Sequence, residues 1–163
     1  MSLHAATLTT PIGELLLVSD GQALTAVQFD DERRASSSGA GLGDPIIAAA
    51  SRQLRDYFDG TRTTFDLLLR PAGTPFELQV WAALRTIPHG ETTSYGQLAT
   101  QIGHAGAARA VGRANARNPI PVIVPCHRVI GADGSLTGFA GGLATKRALL
   151  DHERGALPLA LGG

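Results

Sequence analysis

Cysteine is almost missing from this chain: 163 residues contain one, Cys126. A lone thiol forms no internal disulfide, so the fold must stand on its packed core, and a reducing cytoplasm is its expected home. Metal-site spacing is lacking as well. The five histidines (His4, His89, His104, His127 and His152) form no HxxxH pair and no CxxC exists, whereas a zinc site needs several such ligands, so no metal is expected. No apolar run approaches the roughly 18 residues of a membrane span. The opening MSLHAATLTT has no charged leader ahead of an apolar stretch, which predicts a soluble, unsecreted protein without a membrane partner.

What is present suits one compact domain or two small lobes, with 44% hydrophobic and 17% charged residues. Net charge is zero, yet its distribution is uneven: residues 1–66 carry nine acids against five arginines, and residues 67–163 five acids against nine bases. Between Glu91 and Asp133 there is no acid, while Arg109, Arg113, Arg117 and Arg128 all fall there. A polyanion could dock on that stretch, and on charge alone a merely solvated helix face is an equal reading.

HAATLTT, IGELLLVS and ALTAVQFD read as strands joined by turns at Pro11-Ile12-Gly13 and Asp20-Gly21. A Ser/Gly-rich loop follows at 35–44. Asp44-Pro45 then starts a helix with Ile46, Ile47, Leu54, Tyr57 and Phe58 on its apolar face, and TTFDLLL at 63–69 is a candidate further strand. A domain boundary is expected between residues 1–70 and 71–163. In the second part, Thr74-Pro75-Phe76-Glu77 has the form of a capping box, with Trp81 expected in the core. SYGQLATQIG and AARAVGRANAR form two short helices around a Gly-containing turn, the pattern of a helix-turn-helix. The second of these has arginines every four residues and otherwise small side chains, Ala110 and Gly112 among them, fit either for a narrow groove or for tight packing within the protein. The predicted fold class is α+β, a small N-terminal antiparallel sheet lobe followed by a mostly helical lobe with a helix-turn-helix.

Cys126 lies in PCHRV with His127 as an adjacent base and Arg128 as an adjacent cation. The thiolate is the reactive form, and a base or positive field favours it. Successive residues of an extended strand point opposite ways, so a water bridge between Cys126 and His127 is one arrangement, and a buried, inert thiol is the other. Downstream, GADGSLTGFAGG could wrap a flat ligand or form a plain surface hairpin, and Glu153 is the late carboxylate able to orient a histidine.

PCHRV, preceded by AARAVG and NPIPVIV and followed by GxxTGFxGG and LLxHE, resembles the O6-alkylguanine-DNA alkyltransferases over about residues 70–155, with residues 1–69 fitting more loosely that family's ribonuclease-H-like lobe. The resemblance implies minor-groove binding of duplex DNA, flipping of the damaged guanine, and one irreversible transfer of its alkyl group to cysteine without a cofactor. It implies Cys126 as acceptor, His127 as base through a water, and Glu153 orienting the histidine. Arg109 fills the gap left by the flipped base, Tyr95 turns the nucleotide outward and donates to the guanine, and Asn118 ties the turn before the cysteine. Ala110, Gly112, Arg113, Asn115 and Arg117 are expected on the DNA side; Arg128, Val129, Gly138, Phe139, Ala140 and Gly141 are expected around the base. Phe139 and Ala140 stand where many members carry hydroxyls, which leaves substrate range, including alkylthymine, open. A monomer is expected, with assembly along DNA open. Cys126 argues against the alkyltransferase-like proteins, which carry tryptophan there. A cysteine hydrolase and a DNA-binding regulator with an inert thiol are the rival classes.

Overall fold

Alternating apolar residues near the N-terminus require a sheet with one buried face. In the computed structural model, which describes residues 3–29, 41 and 43–155, strands β1 (His4–Thr10), β2 (Gly13–Ser19) and β3 (Leu24–Phe29) form an antiparallel meander in that order. The predicted loop at 35–44 lies mostly outside the described residues. Register places Ala6 opposite Leu17, Leu17 opposite Val27, and Leu8 opposite Leu15, and these five side chains are all buried. Asp20 shapes the β2–β3 turn by accepting from the backbone N–H groups of Gln22 and Ala23, each at 2.9 Å, and it pairs with Arg70.

Helix α1 (Pro45–Phe58) closes the buried face. Asp44 caps it by accepting from the Ile46 N–H at 3.0 Å, and Ile47, Ala50, Leu54 and Tyr57 recur at helical spacing and are buried as the helix packs on all three strands. Each fully buried leucine contributes about 1.5–3 kcal/mol. Residues 63–69 do not form the further strand expected of them. They make one parallel bridge, Leu24 to Leu69, because the Asp66 backbone bonds instead to the buried Gln53 amide, N–H to Oε1 at 2.8 Å and C=O from Nε2 at 3.0 Å.

The chain divides after Pro71 into two compact units, Met1–Pro71 and Ala72–Leu157. In the second, helix α2 (Pro75–Leu84) begins with the reciprocal Thr74–Glu77 capping box and buries Val80, Trp81 and Leu84. Trp81 Nε1 donates to the Ala114 carbonyl at 2.8 Å. Gly73 makes room for this ring: a Cβ there would lie 2.4 Å from Trp81 Cη2. A two-residue strand β4 (Thr93–Ser94) leads into α3 (Tyr95–Gln101), which Ser94 and Gln97 cap reciprocally. Gly103, at φ +82°, turns the chain toward α4 (Ala108–Ala116), completing the helix-turn-helix. Strand β5 (Val129–Ile130) pairs parallel to β4, and α5 (Leu143–Glu153) follows. The fold is α+β. Among the described residues no helix is long and apolar enough to cross a membrane.

Candidate active site around Cys126

The β-branched run after α4 enters the interior, with Ile120, Val122, Ile123 and Val124 all buried. It does not continue as a strand. Asn118 donates Nδ2 to the Val124 carbonyl at 2.8 Å and accepts the Ile120 N–H at 3.0 Å, closing a tight loop in which Val122 takes φ +72°. Such a conformation is an outlier for a β-branched residue. Pro125 has no N–H to donate, Cys126 bonds back to the Val124 carbonyl at 2.8 Å, and the Arg128 N–H to Pro125 carbonyl bond at 3.0 Å closes Cys126–Arg128 into a single 3-10 turn.

All three side chains of that turn are buried, Cys126 at 5%, His127 at 0% and Arg128 at 6% exposure. His127 Nε2 lies 2.6 Å from Glu153 Oε2 at the end of α5. The same carboxylate receives Arg128 twice, Nε to Oε1 at 2.7 Å and Nη2 to Oε2 at 2.9 Å, while Nη1 donates to the Ile87 carbonyl at 2.6 Å. Three N–H groups of Arg128 are thus committed to Glu153 and Ile87, and Arg128 is not among the groups that shift the Cys126 thiol.

Burial works against ionisation of Glu153, but hydrogen bonds from His127 and Arg128 overcome it and hold the carboxyl far below the usual range. Burial also lowers the His127 pKa, against the pull of Glu153, which favours a neutral imidazole at rest. Its Nδ1 is buried and has no hydrogen-bond partner among the described residues. The Cys126 thiol is pushed up to about 11 by burial, with Asn118 and Lys146 pulling the other way. The resting site thus holds a protonated sulfur, a neutral histidine with one unused ring nitrogen, and a fixed carboxylate.

Residues 75–155 match the model of the 6-O-methylguanine DNA methyltransferase DNA-binding domain, and residues 3–71 that of the family's ribonuclease-like domain. The chain belongs to this family. It is 50% identical to the methylated-DNA-protein-cysteine methyltransferase of Mycobacterium bovis, with 96% of this chain and 95% of the relative covered. The corresponding protein of Methanosarcina acetivorans is 46% identical over 93% of this chain and 98% of its own. Among solved structures, Mycobacterium tuberculosis OGT in complex with DNA superposes with a TM-score of 0.84 at 49% identity, covering 95% of each chain.

In this methyltransferase-family chain, Arg109 and Arg113 on α4 and Arg117 at its C-cap are all exposed; Arg117 lies 3.6 Å from Glu77. Tyr95, Ala108, Arg109, Gly112, Ala116, Thr137 and Gly138 line an open depression, and the Tyr95 ring lies over Gly112. Tyr95 and Thr137 share a hydroxyl hydrogen bond of 2.8 Å. Phe139 is half-buried and Ala140 exposed on the loop that ends at Gly141-Gly142, where Gly142 N–H bonds the Phe139 carbonyl at 2.9 Å. Ala110 is half-buried beside the exposed arginines.

Two expected positions differ. Asn115 does not face outward: it is 2% exposed and donates Nδ2 to the Cys126 carbonyl at 3.2 Å. The helical spacing of Asn115 from Val111 signals this inward face. The Val129 side chain is fully buried, its N–H bonds the Cys126 carbonyl and its own carbonyl accepts from Lys146. Sequence reasoning missed Thr137 and Lys146 as parts of the site, although both stand in the GxxTGFxGG-to-α5 stretch that was singled out.

Proposed function

We propose that this chain repairs duplex DNA by accepting, once, the alkyl group of an O6-alkylguanine on Cys126, and that it acts in the cytoplasm as a monomer. The observation that carries the reading is the relay behind the sulfur: a buried cysteine, next to a histidine whose one nitrogen is fixed by Glu153 while the other has no partner among the described residues. In this reading a water at His127 Nδ1 takes the thiol proton, and the resulting imidazolium is stabilised by Glu153. The thiolate then forms a bond to the alkyl carbon as the bond from that carbon to O6 breaks. The electron pair leaves with the guanine, which takes up one proton, the equivalent of the one the thiol gave up. A closed pocket lowers the cost of bringing a bare thiolate to a saturated carbon.

The unit beginning near residue 71 would hold both the DNA-binding and alkyl-accepting parts. The α3–α4 pair places Arg109 at the edge of the depression where a flipped base would leave its gap, and flipping costs a few kcal/mol that such a contact offsets. Tyr95 flanks the same depression as the group that turns the nucleotide outward. Arg113 and Arg117, both exposed, serve as phosphate contacts, so binding weakens as salt rises. Phe139 and Ala140 offer no hydroxyl, leaving backbone groups of the 138–141 loop to recognise the base. Asn118 and Asn115 hold the cysteine turn from either side.

The test is intact-protein mass after incubation with a duplex carrying O6-methylguanine. One added methyl group, mapped to Cys126, with product formed in an amount equal to protein and no second turnover, supports the reading. Continued turnover, or an unchanged mass, overturns it.

A further inference from the structure

The cation beside Cys126 in sequence is not the one that acts on it in space. Arg128 is committed to Glu153. Lys146, in the first turn of α5, is 0% exposed. Its ammonium donates to the Val129 carbonyl at 2.7 Å and to the Thr137 carbonyl at 2.8 Å, and it lies 6.0 Å from the centre of the Tyr95 ring. It thereby joins β5, which directly follows the cysteine turn, to the loop at 131–142. Thr137 in turn holds the Tyr95 hydroxyl.

Lysine is almost never fully buried without a counter-ion. Here burial lowers the Lys146 pKa, and the charge that opposes this is that of Cys126, with no carboxylate of the described residues beside it. The titratable groups around the pair are Tyr95 from α3, His127 from the turn and Glu153 with Arg128, the last two closed into their own ion pair. A desolvated cation whose anionic counterpart is a thiol gains its partner when that thiol ionises.

We propose that Lys146 is a positioning residue for alkyl transfer: its ammonium clamps the 131–142 loop to the segment after Cys126 and serves as the counter-charge of the thiolate. This rests on the alkyl-acceptor reading above. As the thiol proton passes to His127, sulfur and ammonium become an ion pair. When the sulfur–carbon bond forms and the carbon–O6 bond breaks, the negative charge departs with the guanine, and Lys146 again faces a neutral sulfur.

The experiment compares the wild type with Lys146→Gln, which retains N–H donors for the two carbonyls but no charge, and Lys146→Met, which retains neither. Two rates are followed across pH: single-turnover methyl transfer from an O6-methylguanine duplex, and modification of Cys126 by iodoacetamide, read by mass. Both variants are expected to transfer methyl at least about tenfold more slowly at neutral pH, with the thiol titration moved up by about one unit or more. Affinity for undamaged duplex should stay within about twofold, since a buried side chain makes no phosphate contact. A Gln variant with the wild-type thiol titration overturns the proposal, even if transfer slows. So does a Met variant that matches the wild type in both rates; if that variant fails to fold, the Gln titration decides alone. If the wild type takes no methyl from DNA, the repair reading falls, while the iodoacetamide titrations still judge Lys146.

Discussion

The two units of the chain use buried polarity for different ends. In the first, the buried polar residues Thr10, Ser19, Asp20, Asp44 and Gln53 serve neighbouring backbone: Asp20 shapes a turn, Asp44 caps α1, and Gln53 takes the place of a strand for Asp66. In the second, Asn115, His127, Arg128, Lys146 and Glu153 converge on the cysteine turn and the loop beyond it. Three of these five carry full charge, which a core does not need for stability. Polarity that closes backbone valences marks scaffolding, and polarity gathered around one sulfur marks chemistry.

Substitutions can sharpen or break this contrast. The largest effect is expected from Glu153→Gln, which removes the negative charge and turns one of the two oxygens that accept from His127 and Arg128 into a donor, so that a buried guanidinium is left without its counter-charge, a loss of about 3–5 kcal/mol in urea unfolding. Because the Glu153 pKa is depressed by folding, its contribution is present above the ordinary carboxylate range and disappears as pH falls below it; the variant should lack that acid sensitivity and transfer methyl slowly. Next comes Leu17→Ala in β2, expected to cost about 3 kcal/mol while leaving the transfer rate per folded molecule unchanged. A rate that drops with that stability would abolish the proposed division of labour. The smallest effect concerns alkaline pH. The thiol holds its proton more tightly when folded, about 11 against an ordinary 9.0, so its contribution is intact below 9 and is lost as pH climbs toward 11. Relative to Cys126→Ala, the wild type should lose about 2–3 kcal/mol across that window; parallel stability curves for the two proteins would show that the sulfur is not desolvated.

Much of this was readable beforehand where the signal is local. The strand-like runs HAATLTT and GELLLVS, the Asp44-Pro45 cap and the Thr74 capping box act within a few residues, so local sequence reveals them; the Ser94–Gln97 box is equally local but was not read. The β4–β5 ladder was not legible, because two residues have no period. TTFDLLL has the composition of a strand, yet its hydrogen-bond partner is a glutamine thirteen residues upstream. At the site, Cys126, His127 and Glu153 were singled out by residue type and Asn118 by the family resemblance, and the four lie around one turn. The partner of Arg128 was not legible, because nearness along the chain says nothing of where a side chain points; the 3-10 turn aims its guanidinium at Glu153. Lys146 was overlooked because a lysine in a helix's first turn ordinarily points to water, and only the tertiary fold shows it sealed inside.

Val122 deserves a last consequence. A valine held at φ +72° in a loop stapled on either side by one asparagine is a spring compressed between residues 118 and 124. Glycine would relax that backbone but empty a wholly buried apolar site, so the interior keeps the tension by rewarding the methyl groups. The segment leading into the cysteine turn thus takes both its unusual backbone and its anchorage in the core from one side chain.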